Sequence, residues 1–290
     1  FVALNQVTSR GIEPFKRTGS SRLLLSLAAY SFREFLPEAG RRSAAKAGAR
    51  KQIDMLQFVD YCADQGCHGT EVTSYYFPQD VTDEYLLKVK RQAFLRGIAI
   101  SGTAVGNDFT KPKRSERDQE IASVKRWVDR AAILGAPHIR VFAGGAKDVP
   151  KAEAQKLCIA ALVECCDYAG RKGIMLGLEN HGGIVADADG VLEIIRAVQS
   201  PWIGVNLDTG NFGTADPYAD LARCAPYAVN VQYKVEIRPS GQARQAADFG
   251  RVVKILRDAN YQGYVALEYE AADDPWTAVP PILMRMRELL

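Results

Sequence analysis

A chain of 290 residues with 47% hydrophobic and 24% charged positions has ample material for a core and belongs with ordinary globular proteins. Its net charge of +3 leaves no electrostatic footprint for a nucleic-acid backbone or an anionic membrane surface. No apolar stretch approaches the roughly 20 residues of a membrane span, and the six cysteines form no Cys-x-x-Cys pair, so buried thiols are expected rather than a metal or disulfide framework.

Residues 1–21 are polar, carry Gly and Pro and show no periodicity, and read as a tail before a catalytic domain spanning 22–290. A start at Phe1 suits a processed product, which leaves the compartment open: soluble, and cytoplasmic or exported after loss of a signal peptide. From there apolar runs alternate with amphipathic stretches. Strands are expected at 23–28, 68–73, 98–104, 138–143, 174–178, 203–207, 229–231 and 264–267. Helices are expected at 53–65, 83–96, 116–134, 151–172, 188–198, 218–223, 248–260 and 276–290. Met55, Phe58, Val59 and Cys62 recur at helical spacing in the first helix, and Gly173 suits the stop of the fourth. Residues 37–51, rich in Arg, Lys, Ala and Gly, break the pattern and read as a solvated loop or as a lid or subunit arm beside a barrel mouth.

Unbroken strand–helix alternation implies parallel strands, and about eight such units fit an α/β fold of one kind, a single (β/α)₈ TIM barrel. An open doubly wound sheet is the alternative. No Gly-x-Gly-x-x-Gly follows the first strand, which weakens its dinucleotide-binding form.

Four side chains stand where apolar strands run out: Glu179, Asp208, Gln232 and Glu268. A carboxylate at the end of a buried run is costly unless it meets a charge, a metal or solvent. On a barrel these four would end strands five to eight at one side of the mouth, where such enzymes build their sites. Two glutamates, an aspartate and an amide oxygen favour a hard cation, Mn²⁺ or Mg²⁺, over zinc. The competing reading is that the carboxylates pair with Arg140 and Lys234 instead.

The chain resembles the sugar isomerase and epimerase group built on the xylose isomerase-like barrel, a group that also includes endonuclease IV-like proteins. The resemblance rests on Gly177-Leu-Glu-Asn-His-Gly-Gly183, Asn206-Leu-Asp-Thr-Gly-Asn211, Val231-Gln-Tyr-Lys234 and Ala266-Leu-Glu-Tyr269, supported by Gly69-Thr-Glu-Val-Thr73. It implies that the four strand-end residues bind one divalent metal and that Glu179 and Glu268 double as acid and base. In that group the third ligand is a His in a His-x-Lys setting; here Gln232 stands in its place, so weaker coordination is expected.

The implied chemistry is proton abstraction next to a carbonyl, with the enediolate stabilised by the cation and the proton returned by the second glutamate. His181, Asn211, Lys234, Arg140 and Glu71 are the candidate substrate-binding residues. The expected partner is a small carbohydrate, with no nucleic acid and no membrane; a homo-oligomer stays open. Two enzyme classes compete: an isomerase or epimerase of a small sugar or polyol-derived ketone, and a lyase or dehydratase acting on a keto-sugar, keto-inositol or 3-keto-glycoside. A non-catalytic sugar-binding barrel is a third reading. Endonuclease chemistry gathers several metals with many histidines, and this chain has three.

Overall fold

A computed structural model describes residues 12–37, 52–147 and 149–290. Eight parallel strands close into a barrel: β1 (Arg22–Ala28), β2 (Gly69–Thr73), β3 (Ala99–Ala104), β4 (His138–Val141), β5 (Met175–Glu179), β6 (Ile203–Asp208), β7 (Ala228–Tyr233) and β10 (Gln262–Leu267). Neighbours in the chain are neighbours in the barrel, and β10 closes it against β1 over Arg22–Leu27. Among the described residues, eight α-helices lie in the crossovers and after the last strand: α1 (Met55–Asp64), α2 (Asp83–Leu95), α3 (Arg114–Leu134), α4 (Lys151–Arg171), α5 (Ala188–Val198), α6 (Pro217–Cys224), α7 (Phe249–Asp258) and α8 (Pro275–Leu289). The single (β/α)₈ barrel expected from the alternation is therefore the fold.

Local signals explain where the helices begin. Asp54 accepts from the Gln57 backbone N–H while the Gln57 side chain accepts from the Asp54 N–H, a reciprocal cap that satisfies two otherwise orphaned donors of α1. Thr82, Asp187, Asp216, Asp248 and Asp274 cap their helices in the same one-sided way, each through a side-chain oxygen. Trp276 at the start of α8 meets Phe32, Phe35 and Tyr61 edge-on at 4.8, 5.6 and 5.3 Å, fastening the last helix to α1 and to the turn after β1.

Two places differ from the alternating plan. A short antiparallel hairpin, β8 (Glu236–Ile237) with β9 (Gln245–Ala246), rises between β7 and α7. The described part of the expected tail is strapped across the N-terminal ends of β7 and β10. Phe15 N–H donates to the Pro226 carbonyl, the Arg17 guanidinium to the Ala228 carbonyl, and the Asn260 and Gln262 side chains to carbonyls of Arg17, Thr18, Gly19 and Ser20. Residues 38–51, which hold most of the expected lid or arm, lie outside the described residues.

All six cysteines are buried and unpaired, as their spacing predicts. No described helix is long and apolar enough to cross a membrane.

Candidate active site

Arg140, Glu179, Asp208, Gln232, Lys234 and Glu268 converge at the C-terminal ends of β4, β5, β6, β7 and β10, and none is more than 7% exposed. Glu71 of β2 is wholly buried behind them. Charges this deep need partners, and each has one.

Glu179 is held from both oxygens. Asn211 Nδ2 donates to its Oε1 at 3.0 Å, and Arg140 Nε lies 2.9 Å from its Oε2, an ion pair without hydrogen-bond alignment. Arg140 is fixed in turn by the Val105 carbonyl at 3.1 Å and the Tyr75 hydroxyl at 3.3 Å, with its guanidinium 3.9 Å over the Phe142 ring. Phe142 packs 4.7 Å from His181, which is exposed at the mouth.

Asp208 is locked by its backbone and one oxygen. Its N–H donates to Asn180 Oδ1 and its carbonyl accepts from Asn180 Nδ2, both at 2.9 Å, while the Gly210 N–H donates to Oδ1 at 2.8 Å. The second oxygen, Oδ2, has no hydrogen bond but faces the Lys234 ammonium at 3.5 Å. Lys234 Nζ also stands 3.4 Å from Glu268 Oε1 and 2.5 Å from Glu270 Oε2, with the Tyr30 ring 5.9 Å away.

Gln232 faces a different set of partners. Its Nε2 donates to Glu71 Oε1 at 2.6 Å and its Oε1 accepts from Asn206 Nδ2 at 2.6 Å. Asn230 completes the network, donating to Glu71 Oε2 at 2.6 Å and to Asn206 Oδ1 at 2.9 Å. Register shifts lie at Thr70/Glu71 in β2 and Val205/Asn206 in β6. Such irregularities re-aim side chains, and both fall at members of this network.

Burial sets the proton affinities. It pushes the Glu71 carboxyl up to about 7, helped by the Glu268 charge and opposed by the Gln232 and Asn230 donors. Glu179 and Asp208 are likewise raised, first by burial; Arg140 pulls Glu179 back down and Lys234 does the same for Asp208. Burial disfavours charge on Lys234, but Asp208, Glu268 and Glu270 outweigh it and hold the ammonium above its usual range.

The residues as arranged do not fit a divalent cation. Both ends of the Gln232 amide are committed, and both Glu179 oxygens have partners. The ammonium of Lys234 stands within 3.5 Å of the remaining two carboxylates. Among the described residues no three His, Cys, Asp or Glu side chains are grouped as metal ligands.

The structure thus brings Glu179, Asp208, Glu268, Arg140, Lys234 and Asn211 into one cluster, leaves His181 at its rim, and sets Glu71 and Gln232 in an amide network beside it. Sequence reasoning missed Glu270, Asn206, Asn230 and Phe142 as members of the site. Glu270 was accessible, since it stands two residues after Glu268 in the same strand-end segment.

The barrel has relatives among solved structures. An L-ribulose 3-epimerase is 16% identical, covering 92% of each chain with a TM-score of 0.71. The 3-keto-D-glucoside 4-epimerase YcjR from E. coli is 17% identical over 92% of this chain and all of its own, with a TM-score of 0.69. The probable 3-DHS dehydratase AsbF from Bacillus anthracis is 15% identical over 91% of this chain and 97% of its own, with a TM-score of 0.64. At these identities the likeness shows the fold. No curated protein matches the sequence. The model of the xylose isomerase-like TIM barrel family matches residues 59–288, and with the closed barrel this places the chain in that family.

Proposed function

We propose that this chain is an isomerase or epimerase of a small keto-sugar or polyol-derived ketone, with Glu179 and Glu268 as its acid–base pair. The observation that carries the reading is the pair itself: two strand-end carboxylates, both buried, each beside its own fixed cation, Arg140 or Lys234. Each glutamate lies close enough to the other for Glu268 to raise the proton affinity of Glu179.

The step needs no redox partner. One carboxylate takes a proton from the carbon next to the carbonyl; the C–H electron pair becomes the new C=C bond, and the carbonyl π pair moves onto the oxygen. The other carboxylate returns a proton to the opposite face of that carbon or to its neighbour. The negative oxygen formed midway requires a preorganised positive charge. The resemblance gave that role to Mn²⁺ or Mg²⁺ on Glu179, Asp208, Gln232 and Glu268; the arrangement supports Arg140 and Lys234 as the fixed charges at hand.

Substrate hydroxyls would meet Asn211 and Lys234, which line a cavity with Gly210, Glu236 and Glu270, and His181 at the rim. Glu71 acts behind the site by holding Gln232. A lyase would need a further group poised to protonate a leaving oxygen, and nothing among the described residues singles one out.

The experiment is incubation with free ketoses, 3-keto-glycosides and keto-inositols in D₂O, followed by NMR and mass spectrometry. The reading predicts an isomer of unchanged mass apart from one deuterium. A shortened or unsaturated product assigns the lyase chemistry instead, and binding without any exchange assigns a carbohydrate-binding barrel.

A further inference from the structure

The geometry points to Lys234 as the resident cation of this site: its ammonium holds the place at Asp208 and Glu268 where a divalent ion would sit, so the native protein works without one. The inference rests on the reading of this cluster as the proton-transfer site, and it deepens that reading by naming the group that carries the positive charge.

Three independent features are built around the lysine. The first is its anchoring. Its backbone N–H donates to Thr209 Oγ1 at 2.9 Å, its side chain is only 9% exposed, and three carboxylates, from Asp208, Glu268 and Glu270, face the ammonium at 2.5 to 3.5 Å. The second is the space for its stem. A Cβ on Gly210 would lie 2.7 Å from Lys234 Cβ and 2.8 Å from both Lys234 Cγ and the Glu236 carbonyl oxygen, so any other residue there would shift the segment that carries the lysine. The third is the diversion of Gln232, whose amide oxygen accepts from Asn206 and whose amide nitrogen donates to Glu71, which turns the amide toward that network. A divalent ion on Asp208 Oδ2 and Glu268 Oε1 would meet the ammonium a few ångströms away in a dry site, where like charges repel strongly.

In this role the ammonium donates an N–H to the oxygen that turns negative as the carbon loses its proton, and keeps its own proton throughout. Glu268 and Asp208 hold the nitrogen in place, and Glu270 accepts a hydrogen bond from one of its other N–H groups. No bond to the lysine forms or breaks.

The test is Mn²⁺ binding by equilibrium dialysis and electron paramagnetic resonance, on chelator-treated wild type, Lys234→Met and Gly210→Ala, with circular dichroism as the folding check. Wild type is expected to leave Mn²⁺ free and to keep its solvent proton exchange after chelation. Lys234→Met empties the pocket of its cation but keeps the carboxylates, and is expected to bind one Mn²⁺ at least about 100-fold tighter than wild type. Gly210→Ala, by shifting the segment of Lys234 and Glu236, should move binding in the same direction. Stoichiometric Mn²⁺ binding by wild type that is lost in Asp208→Asn overturns the inference, as does a folded Lys234→Met that leaves Mn²⁺ free. Should Lys234→Met not fold, the wild-type titration decides alone. A wild type that leaves Mn²⁺ free yet exchanges protons with no ketose or keto-sugar sinks the proposed activity while the assignment of Lys234 stands.

Discussion

Each buried charge of the site depends on one or two named partners, and its removal has a calculable sign. Arg140→Met strips Glu179 of its cation while leaving the carboxyl buried; breaking a buried pair in this way costs about 3–5 kcal/mol, read as a lower midpoint in urea unfolding. Glu71 gives a prediction in pH. Its carboxyl is raised from 4.5 to about 7 in the folded state, so between those values the native protein keeps a proton that the unfolded chain has lost. Stability is therefore full below about pH 4.5 and declines as pH rises through 7, with a slope of at most about 1.4 kcal/mol per pH unit for this one group. Glu71→Gln removes that component, and urea midpoints measured from pH 4 to 8 should show a flatter profile; an unchanged slope assigns the dependence elsewhere. The strand-end carboxylates themselves were legible, because Glu179, Asp208 and Glu268 each close an apolar run. Their partners were legible only as a competing reading. Whether Glu179 meets a metal or Arg140 depends on side chains from another strand, and nothing in a run of residues says which way a guanidinium turns.

At the scale of elements, alternation of apolar strands and capped helices carried most of the architecture. Every expected strand and helix has its counterpart within a few residues, since periodicity and Asp or Thr caps are local properties. The hairpin of β8 and β9 escaped notice because its strands are two residues long and separated by Pro, Ser, Gly and Arg, a composition that reads as loop. The Glu71–Gln232–Asn206–Asn230 network escaped for a different reason: Glu71 and Gln232 lie 161 positions apart and meet only across the closed barrel. Strand packing gives a further prediction. A Cβ on Gly102 would fall 1.9 Å from the His138 ring, which is buried and pushed down to about 4, hence neutral. Gly102→Ala forces β3 and β4 apart or expels the imidazole, and is expected to lower stability by about 1–3 kcal/mol in urea titration. A variant as stable as wild type would mean that the ring has another place to go.

For the whole molecule, barrel closure decides the function, because it brings the ends of non-neighbouring strands to one mouth. Arg140 of β4 and Lys234 just past β7 meet carboxylates of adjacent strands, whereas Glu71 of β2 reaches Gln232 and Asn230 of β7 across the barrel and behind that cluster. The family fold supplies that frame, and this chain departs from the group's His-x-Lys setting in the use of Gln232. The central claim is that Glu179 and Glu268 together move one proton at a carbon next to a carbonyl. It is tested most directly by following deuterium uptake from D₂O into a turned-over keto-sugar with wild type, Glu179→Gln and Glu268→Gln, each checked for folding. The account predicts that both variants lose at least about 100-fold in exchange rate. Exchange at the wild-type rate in either folded variant would contradict it.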